Sequence, residues 1–269
     1  MDMPDLFYII ENWWKKILLV AIALTTLVVI LLFLQPRLYL SEATALRASS
    51  YTTDKASIFN RNIEALYSTL GSADDLDMII GTAQLDTVYL YQVDSFELVK
   101  HYSIDGKPDL ARRKAAVRLQ KNSKVMKSGY GELKVKVWDK DRVLAAHLAN
   151  SIMDRLHFIH QGLLNESNVS TLSGLQTRYR QLQQRHDTAS AERKQSLLKQ
   201  LENYENLIGE YELMVETKQP ALLIVEYARP SLKIDKPRFI PILAATLFLS
   251  LVFGFFLAII LERKKQTIA

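Results

Sequence analysis

The chain of 269 residues contains no cysteine. This absence excludes disulfide bonds, thiolate metal sites and a cysteine nucleophile, although it does not identify the compartment. Glycine and proline are scarce, with nine and seven residues, so long stretches are free of helix breakers. No G-x-x-x-x-G-K-[ST] phosphate-binding pattern occurs. The net charge of +5 is too small to indicate a nucleic-acid-binding surface, and we expect no nucleic-acid partner.

Two long apolar runs lie near the ends of the chain. The first, Ile17–Leu34, has 18 uncharged residues, and the second, Ile240–Leu261, has 22. A helix of about 20 apolar residues crosses the ~30 Å hydrocarbon core of a bilayer and satisfies its own backbone hydrogen bonds there. The first run is too long for the apolar part of a signal peptide, and Gln35–Arg37 offers no small-residue cleavage site. We therefore predict two transmembrane helices.

Basic residues flank both runs on the side of the chain termini. Lys15 and Lys16 precede the first run, and Arg263–Lys265 follow the second. Positive charge next to a span favours the cytoplasmic side, whereas long loops translocate largely regardless of their charge. We expect both termini in the cytoplasm and the bulk of the chain on the opposite side of the membrane.

The segment between the spans combines strand and helix patterns. Leu38–Ala48 predicts a strand, Glu132–Asp139 alternates apolar and charged residues as in an antiparallel sheet with one wet face, and Leu222–Ala228 predicts a buried strand. Helices are predicted at Ala56–Leu70, from Ser72 onward, in short pieces between Thr82 and Tyr102, and at Asp109–Lys121 behind Pro108.

A long helical arm is predicted after Asp139 or Asp141, either of which can cap a helix. Apolar residues then recur at steps of three and four, which is the coiled-coil period. The clearest such seam, which we call the arm seam, is formed by Leu201, Tyr204, Ile208, Tyr211 and Val215.

The polar stretch His186–Ser196 interrupts this period and leaves two interpretations. Ser170–Thr217 as one helix would be roughly 72 Å long at 1.5 Å per residue. A hairpin turning near Asp187–Ala191 is the alternative. Because no glycine or proline marks a turn, we favour the single helix. Its arm seam then needs a partner helix, from this chain or from a neighbouring subunit.

The fold class predicted is an α+β membrane protein with a small, mostly antiparallel sheet and a long helical arm. The predicted domains are a cytoplasmic tail (1–16), a first transmembrane helix (17–34), a membrane-proximal α/β domain (35–140 and 219–238), the arm (141–218), a second transmembrane helix (240–261) and a second cytoplasmic tail (262–269).

The sequence shows no arrangement for catalysis or metal binding. His157 and His160 lie three residues apart on a helix, but no third ligand has a recognisable spacing. Asp74, Asp75 and Asp77 are explained by the dipole at a helix start. We expect no enzyme activity, no metal and no cofactor.

Two other patterns suggest contacts. Basic residues recur after Pro108, and they predict either a site for an anionic glycan or lipid phosphate or a solvated helix face. In the second span, a small-xxx-small pattern lets helices approach closely, and it predicts packing against the first span, a neighbouring subunit or a membrane enzyme. The first set is Arg112, Arg113, Lys114 and Arg118, and the second is Ser250, Gly254 and Ala258.

Three segments, in order between the two spans, resemble the Wzz-type chain-length determinants, or polysaccharide co-polymerases, of bacterial inner membranes. Tyr39–Leu46 looks like the membrane-proximal strand of that family. Val135–Asn150 is similar to its strand–Asp–helix segment, and Ala228-x-Pro230 with Pro237 resembles its carboxy-terminal proline segment. The matching positions within the middle segment are Asp139, Asp141, Ala145, Ala146, Ala149 and Asn150.

The resemblance implies a non-enzymatic protein of the bacterial inner membrane that regulates the length of an O-antigen, capsule or exopolysaccharide chain. It implies a homo-oligomeric ring or bundle that contacts a membrane polysaccharide polymerase and the growing glycan. The absent phosphate-binding motif indicates either the kinase-less form or a form whose kinase is a separate cytoplasmic protein and a further partner. A polysaccharide-export adaptor and a two-span periplasmic sensor are the alternatives.

Overall fold

A computed structural model describes residues 6–48 and 74–268 of the chain. The predicted helix at Ala56–Leu70 lies outside the described residues. The helices are α1 (Leu6–Leu34), α2 (Asp74–Thr82), α3 (Asp86–Ser95), α4 (Leu98–His101), α5 (Pro108–Lys121), α6 (Arg142–Asp187), α7 (Ala191–Thr217) and α8 (Phe239–Ile268). The strands are β1 (Leu38–Arg47), β2 (Ser123–Lys127), β3 (Leu133–Asp139), β4 (Leu222–Glu226) and β5 (Ile234–Lys236).

The two predicted transmembrane helices are confirmed as helices of sufficient length and apolarity. Candidate spans extend over Trp13–Leu34 within α1 and Phe239–Glu262 within α8. Both helices continue beyond the apolar runs because no glycine or proline breaks the flanking polar turns.

The chain divides into two compact units. The terminal-helix unit contains α1, α8, β5, the start of β1 and Asp139–Arg142, and the α/β unit contains Ser41–Trp138 and Val143–Pro230. The strands run in the order β2-β3-β1-β4, and β5 pairs with the first residues of β1. The β2–β3, β1–β4 and β1–β5 pairs are antiparallel, so the mostly antiparallel sheet is confirmed.

The core of the α/β unit lies where the sheet meets α2–α6. The alternation predicted for β3 is confirmed, because Leu133, Val135 and Val137 are fully buried. Leu148 and Ile152 of α6 belong to the same apolar cluster. Burial of large aliphatic side chains stabilises this layer by about 1.5–3 kcal/mol per side chain.

Three strands differ from the sequence expectation, and one of them, the three-residue β5, was not predicted. β2 was not predicted, because Lys124 and Lys127 obscure the apolar alternation of this five-residue strand. β4 was predicted as a buried strand; the strand is confirmed, but its burial is wrong, because only Leu222 of its five residues is buried. It is the last strand in the sheet order, and its Leu223 and Val225 are 40% and 59% exposed.

The arm is a helical hairpin, so the preference for one helix across Ser170–Thr217 is wrong. α6 ends at Asp187, and α7 begins after Ser190, whose backbone is extended (φ −66°, ψ 156°). Gln176 Nε2 donates to Glu212 Oε1 across the hairpin at 3.4 Å. The two apolar stripes cover one another in this way, whereas a single helix would leave both exposed to water.

Candidate functional site

The three family-like segments provide the residues from which a site can be built. Asn150 on α6 holds the backbone of Ala228 with both ends of its side-chain amide. Its Nδ2 donates to the Ala228 carbonyl oxygen at 3.1 Å, and its Oδ1 accepts the Ala228 N–H at 2.7 Å. Ala228 is 6% exposed, so these bonds satisfy a backbone that is largely shielded from water.

β1 contributes to the same place. The hydroxyl of Ser41, which is buried, donates to the carbonyl oxygen of Arg229 at 3.0 Å. We call the group Ser41, Asn150, Ala228 and Arg229 the amide clasp. It joins the first, second and third family-like segments, whose contacting residues are 78 and 188 positions apart in the chain.

The remaining family-like positions have structural roles. Asp139 is buried, and its carboxylate accepts the N–H of Asp141 at 3.0 Å in the turn before α6. Ala145 and Ala146 are buried on α6, where their small side chains let the helix pack closely in the core. Pro230 is exposed directly after the clasp.

Pro237 belongs to the terminal-helix unit. It follows β5 through a cis peptide bond and precedes α8. The residue beyond it, Arg238, donates to Asp235 Oδ1 at 3.1 Å. Pro237 therefore lies in the short connection into the second candidate span.

The outer face of the sheet carries a charged cluster that the sequence analysis did not identify. Glu42 of β1 contacts Lys134 Nζ at 2.9 Å and Lys136 Nζ at 3.1 Å on β3. Burial alone raises the pKa of Glu42, but the hydrogen bonds and charges of the two lysines outweigh it and lower the pKa below its ordinary value. The sequence did indicate that both lysines point away from the core. It could not indicate that Glu42 on β1 is their partner, because the pairing of β1 with β3 is not visible in the sequence.

The four basic residues predicted for polyanion binding differ in their surroundings. Arg112 forms a bidentate ion pair with Asp94, and Arg118 donates to the Tyr102 carbonyl oxygen at 3.2 Å while stacking on the Tyr102 ring. Arg113 and Lys114 are exposed. Successive helical residues differ by about 100°, so their side chains leave α5 in different directions. A polyanion contact at these residues stays a prediction.

The small residues of the second candidate span pack within the terminal-helix unit. Ser250 and Ala258 are 3% and 2% exposed. A Cβ at Gly254 would lie 3.1 Å from Ile17 Cγ2 and 3.3 Å from the Ile17 carbonyl oxygen. Near the other end of this contact, Trp13 Nε1 donates to Glu262 Oε2 at 2.7 Å. Of the three partners considered for the face formed by Ser250, Gly254 and Ala258, the structure shows packing against the first span.

The arm seam is covered partly by α6. Leu201 and Tyr211 are 9% and 7% exposed, and Leu182 on α6 is 3% exposed. Tyr204, Ile208 and Val215 are half-buried. The structure thus supplies the partner helix from the same chain.

The two histidines of α6 have separate structural partners. His157 Nδ1 accepts the N–H of Leu222, and His160 Nε2 lies 3.0 Å from the Thr82 hydroxyl. Burial lowers the pKa of His160 below its ordinary value. Among residues 6–48 and 74–268, no group of three or more His, Cys, Asp or Glu side chains is placed to hold a metal ion.

No protein-family model matches the chain, and no curated protein matches it. Two of the solved structures that are similar to it are as follows. One, a full-length bacterial polysaccharide co-polymerase, is 13% identical with a TM-score of 0.42, covering 99% of this chain and 98% of that chain. The other, a fragment of WzzB, a polysaccharide co-polymerase from Salmonella Typhimurium, is 12% identical with a TM-score of 0.38, covering 74% of this chain and 100% of that chain. Both solved structures are described as polysaccharide co-polymerases.

Proposed function

We propose that this protein is a non-enzymatic, homo-oligomeric component of the bacterial inner membrane that regulates the chain length of a surface polysaccharide together with a membrane polymerase. The spans anchor each copy in the bilayer with both termini in the cytoplasm. The α/β units assemble side by side in the periplasm, and their arms extend into it.

The amide clasp is the observation that carries this proposal. The three segments that resemble the family were identified separately along the sequence, yet Ser41, Asn150 and Ala228 bring them into direct contact. Because these bonds join an amide and a hydroxyl to backbone groups, they fix geometry and leave no acid or base positioned for a reaction. This chemistry suits an assembly protein.

The proposed mechanism is geometric. An assembly of copies offers the growing polymer an extended protein surface, and its spans contact the polymerase. The helical hairpin suits this role because its two helices hold each other by an internal seam. The arm then extends from the α/β unit without a covering domain.

Gene deletion followed by electrophoresis of the surface polysaccharide tests the proposal. We expect the deletion strain to lose its characteristic length distribution while still making polymer, and the intact gene to restore it. Loss of polymer export with normal lengths would favour an export adaptor. An unchanged amount and distribution of polymer would contradict the proposed function.

A further inference from the structure

An arginine lies between two exposed aromatic rings in the α/β unit. The guanidinium carbon of Arg155 on α6 is 4.5 Å from the ring centre of Tyr91 on α3 and 5.8 Å from that of Phe158 on α6. Both distances are within the range of a cation–π contact. Tyr91 is 46% exposed and Phe158 is 65% exposed, so both rings remain accessible to solvent.

Arg155 has an unusual set of partners. Its Nε is buried and makes no hydrogen bond, and no carboxylate in the described part of the chain forms an ion pair with it. A guanidinium carries five N–H donors, so this group holds hydrogen-bonding capacity that the described residues do not use. The guanidinium carbon lies within cation–π distance of both exposed rings, so these unused donors lie beside accessible aromatic surface.

The residues around the rings are polar. Thr87 and Ser95 lie four residues before and after Tyr91, and Asp154 lies four residues before Phe158, so each shares a helix face with its ring. All three are exposed. The core of a protein–protein interface is instead contiguous and apolar. Two aromatic faces among hydroxyl, carboxylate and guanidinium groups match a ligand that has both C–H faces and many hydroxyl groups.

We propose that Tyr91, Arg155 and Phe158 form a binding platform for a sugar ring of the polysaccharide. The C–H groups on the face of a pyranose pack against an aromatic ring, and its hydroxyl groups accept hydrogen bonds from the guanidinium. This inference rests on the proposed function, and it identifies where the α/β unit contacts the polymer.

Binding is measured with the full chain in lipid nanodiscs and oligosaccharides cut from the surface polymer of the producing cells. Saturation-transfer NMR detects contact, and titration gives the Kd. We expect the wild type to bind and Phe158→Ala and Tyr91→Ala each to bind about tenfold more weakly. Tyr130→Ala is the matched control, because Tyr130 is 93% exposed in the turn between β2 and β3 and should leave binding unchanged.

Arg155→Lys separates charge from geometry. It keeps the positive charge but loses the planar donors, so binding should weaken with an unchanged thermal unfolding midpoint. Absence of transfer to the wild type, or equal binding by Phe158→Ala and Tyr130→Ala, overturns the platform. A smaller oligomer for Phe158→Ala also overturns it, because the rings would then lie in a contact between copies.

Complementation of the deletion strain with variants distinguishes this inference from the proposed function. If deletion alters the length distribution but Phe158→Ala and Tyr91→Ala restore it fully, the platform is wrong and the proposed function stands. If deletion has no effect, the proposed function fails, and the nanodisc titration still decides whether the platform binds sugar.

Discussion

The terminal-helix unit and the arm of the α/β unit both bury a seam against a helix of the same chain, but with opposite residue types. In the terminal-helix unit the contact is made by Ser250, Gly254 and Ala258, with the backbone of Ile17 close to Gly254. In the arm it is made by large side chains such as Leu201 and Tyr211. Helix seams built on steps of three or four residues therefore serve two kinds of packing.

The expected surroundings explain the difference. Lipid chains are as apolar as leucine, so helices in a bilayer gain little from burying large side chains and associate instead through close contact of small residues. In water, burial of apolar area is itself the driving force, at roughly 25 cal/mol per Å². A seam of small residues is thus expected for a helix pair in lipid, and a seam of large apolar residues for a helix pair in water.

This comparison changes the expectation about assembly. The sequence analysis required a partner helix for the arm seam, and α6 provides it. Contacts between copies, which the proposed function requires, therefore need not use the arm seam, and the exposed edge strand β4 is another available surface.

The largest effect is expected for a substitution in the amide clasp, whose polar contacts hold the first turns of α6 to the backbone of Ala228. Asn150→Ala removes both bonds to Ala228 and leaves two shielded backbone groups without partners, which costs about 2–4 kcal/mol of unfolding free energy. Urea unfolding of the full chain in detergent measures it. Asn150→Asp keeps the acceptor for the Ala228 N–H and should lose about half as much. Equal stability of all three proteins would show that the clasp is not structural.

Gly254→Leu tests the close approach of the terminal helices. Its side chain would meet Ile17, where even a Cβ lies 3.1 Å from Cγ2, so overpacking should cost about 1–3 kcal/mol. The thermal midpoint in detergent reports the loss. Ala245→Leu, at an exposed position of the same helix, is the control and should change the midpoint little. A tolerated leucine at Gly254 would contradict the small-residue contact.

Two leucines on α7 test the arm seam. Leu201→Ala should destabilise the hairpin by about 2 kcal/mol, because Leu201 is 9% exposed. Leu198→Ala should cost no more than about 0.5 kcal/mol, because Leu198 is 53% exposed. Hydrogen exchange of α7 amides compares the two. Faster exchange for Leu198→Ala than for Leu201→Ala would mean that the hairpin faces are assigned the wrong way round.

The smallest effect is the pH dependence from Glu42. Its pKa is lowered in the folded protein, so its contribution is present above the unfolded value near 4.5 and is lost as pH falls through the folded value. Since Glu42 is only partly buried, we expect less than about 1 kcal/mol. The wild type should unfold at a higher temperature than Glu42→Gln at pH 7, and the difference should shrink as pH falls below 4.5. A constant difference would exclude this role for the carboxylate.

The sequence predicted those parts of the fold that local periodicity determines. The two apolar runs, the alternation in β3 and the stripe of α6 are each visible within one stretch. The hairpin near Asp187–Ala191 was considered but not preferred, because Thr188–Ser190 contains no glycine or proline and nothing local distinguishes a turn from a polar helical segment. The clasp could not be derived, because the partner of Asn150 lies 78 residues away. The platform was missed because Tyr91 and Phe158 are brought together only by packing of α3 on α6.

Sizing the intact protein tests the central claim most directly, because the proposed function requires an assembly of copies. Light scattering of the full chain in mild detergent or nanodiscs, corrected for bound lipid, gives the protomer number. We predict a mass of several 30.8 kDa protomers in a closed assembly. A stable single protomer at every protein concentration would contradict the proposal.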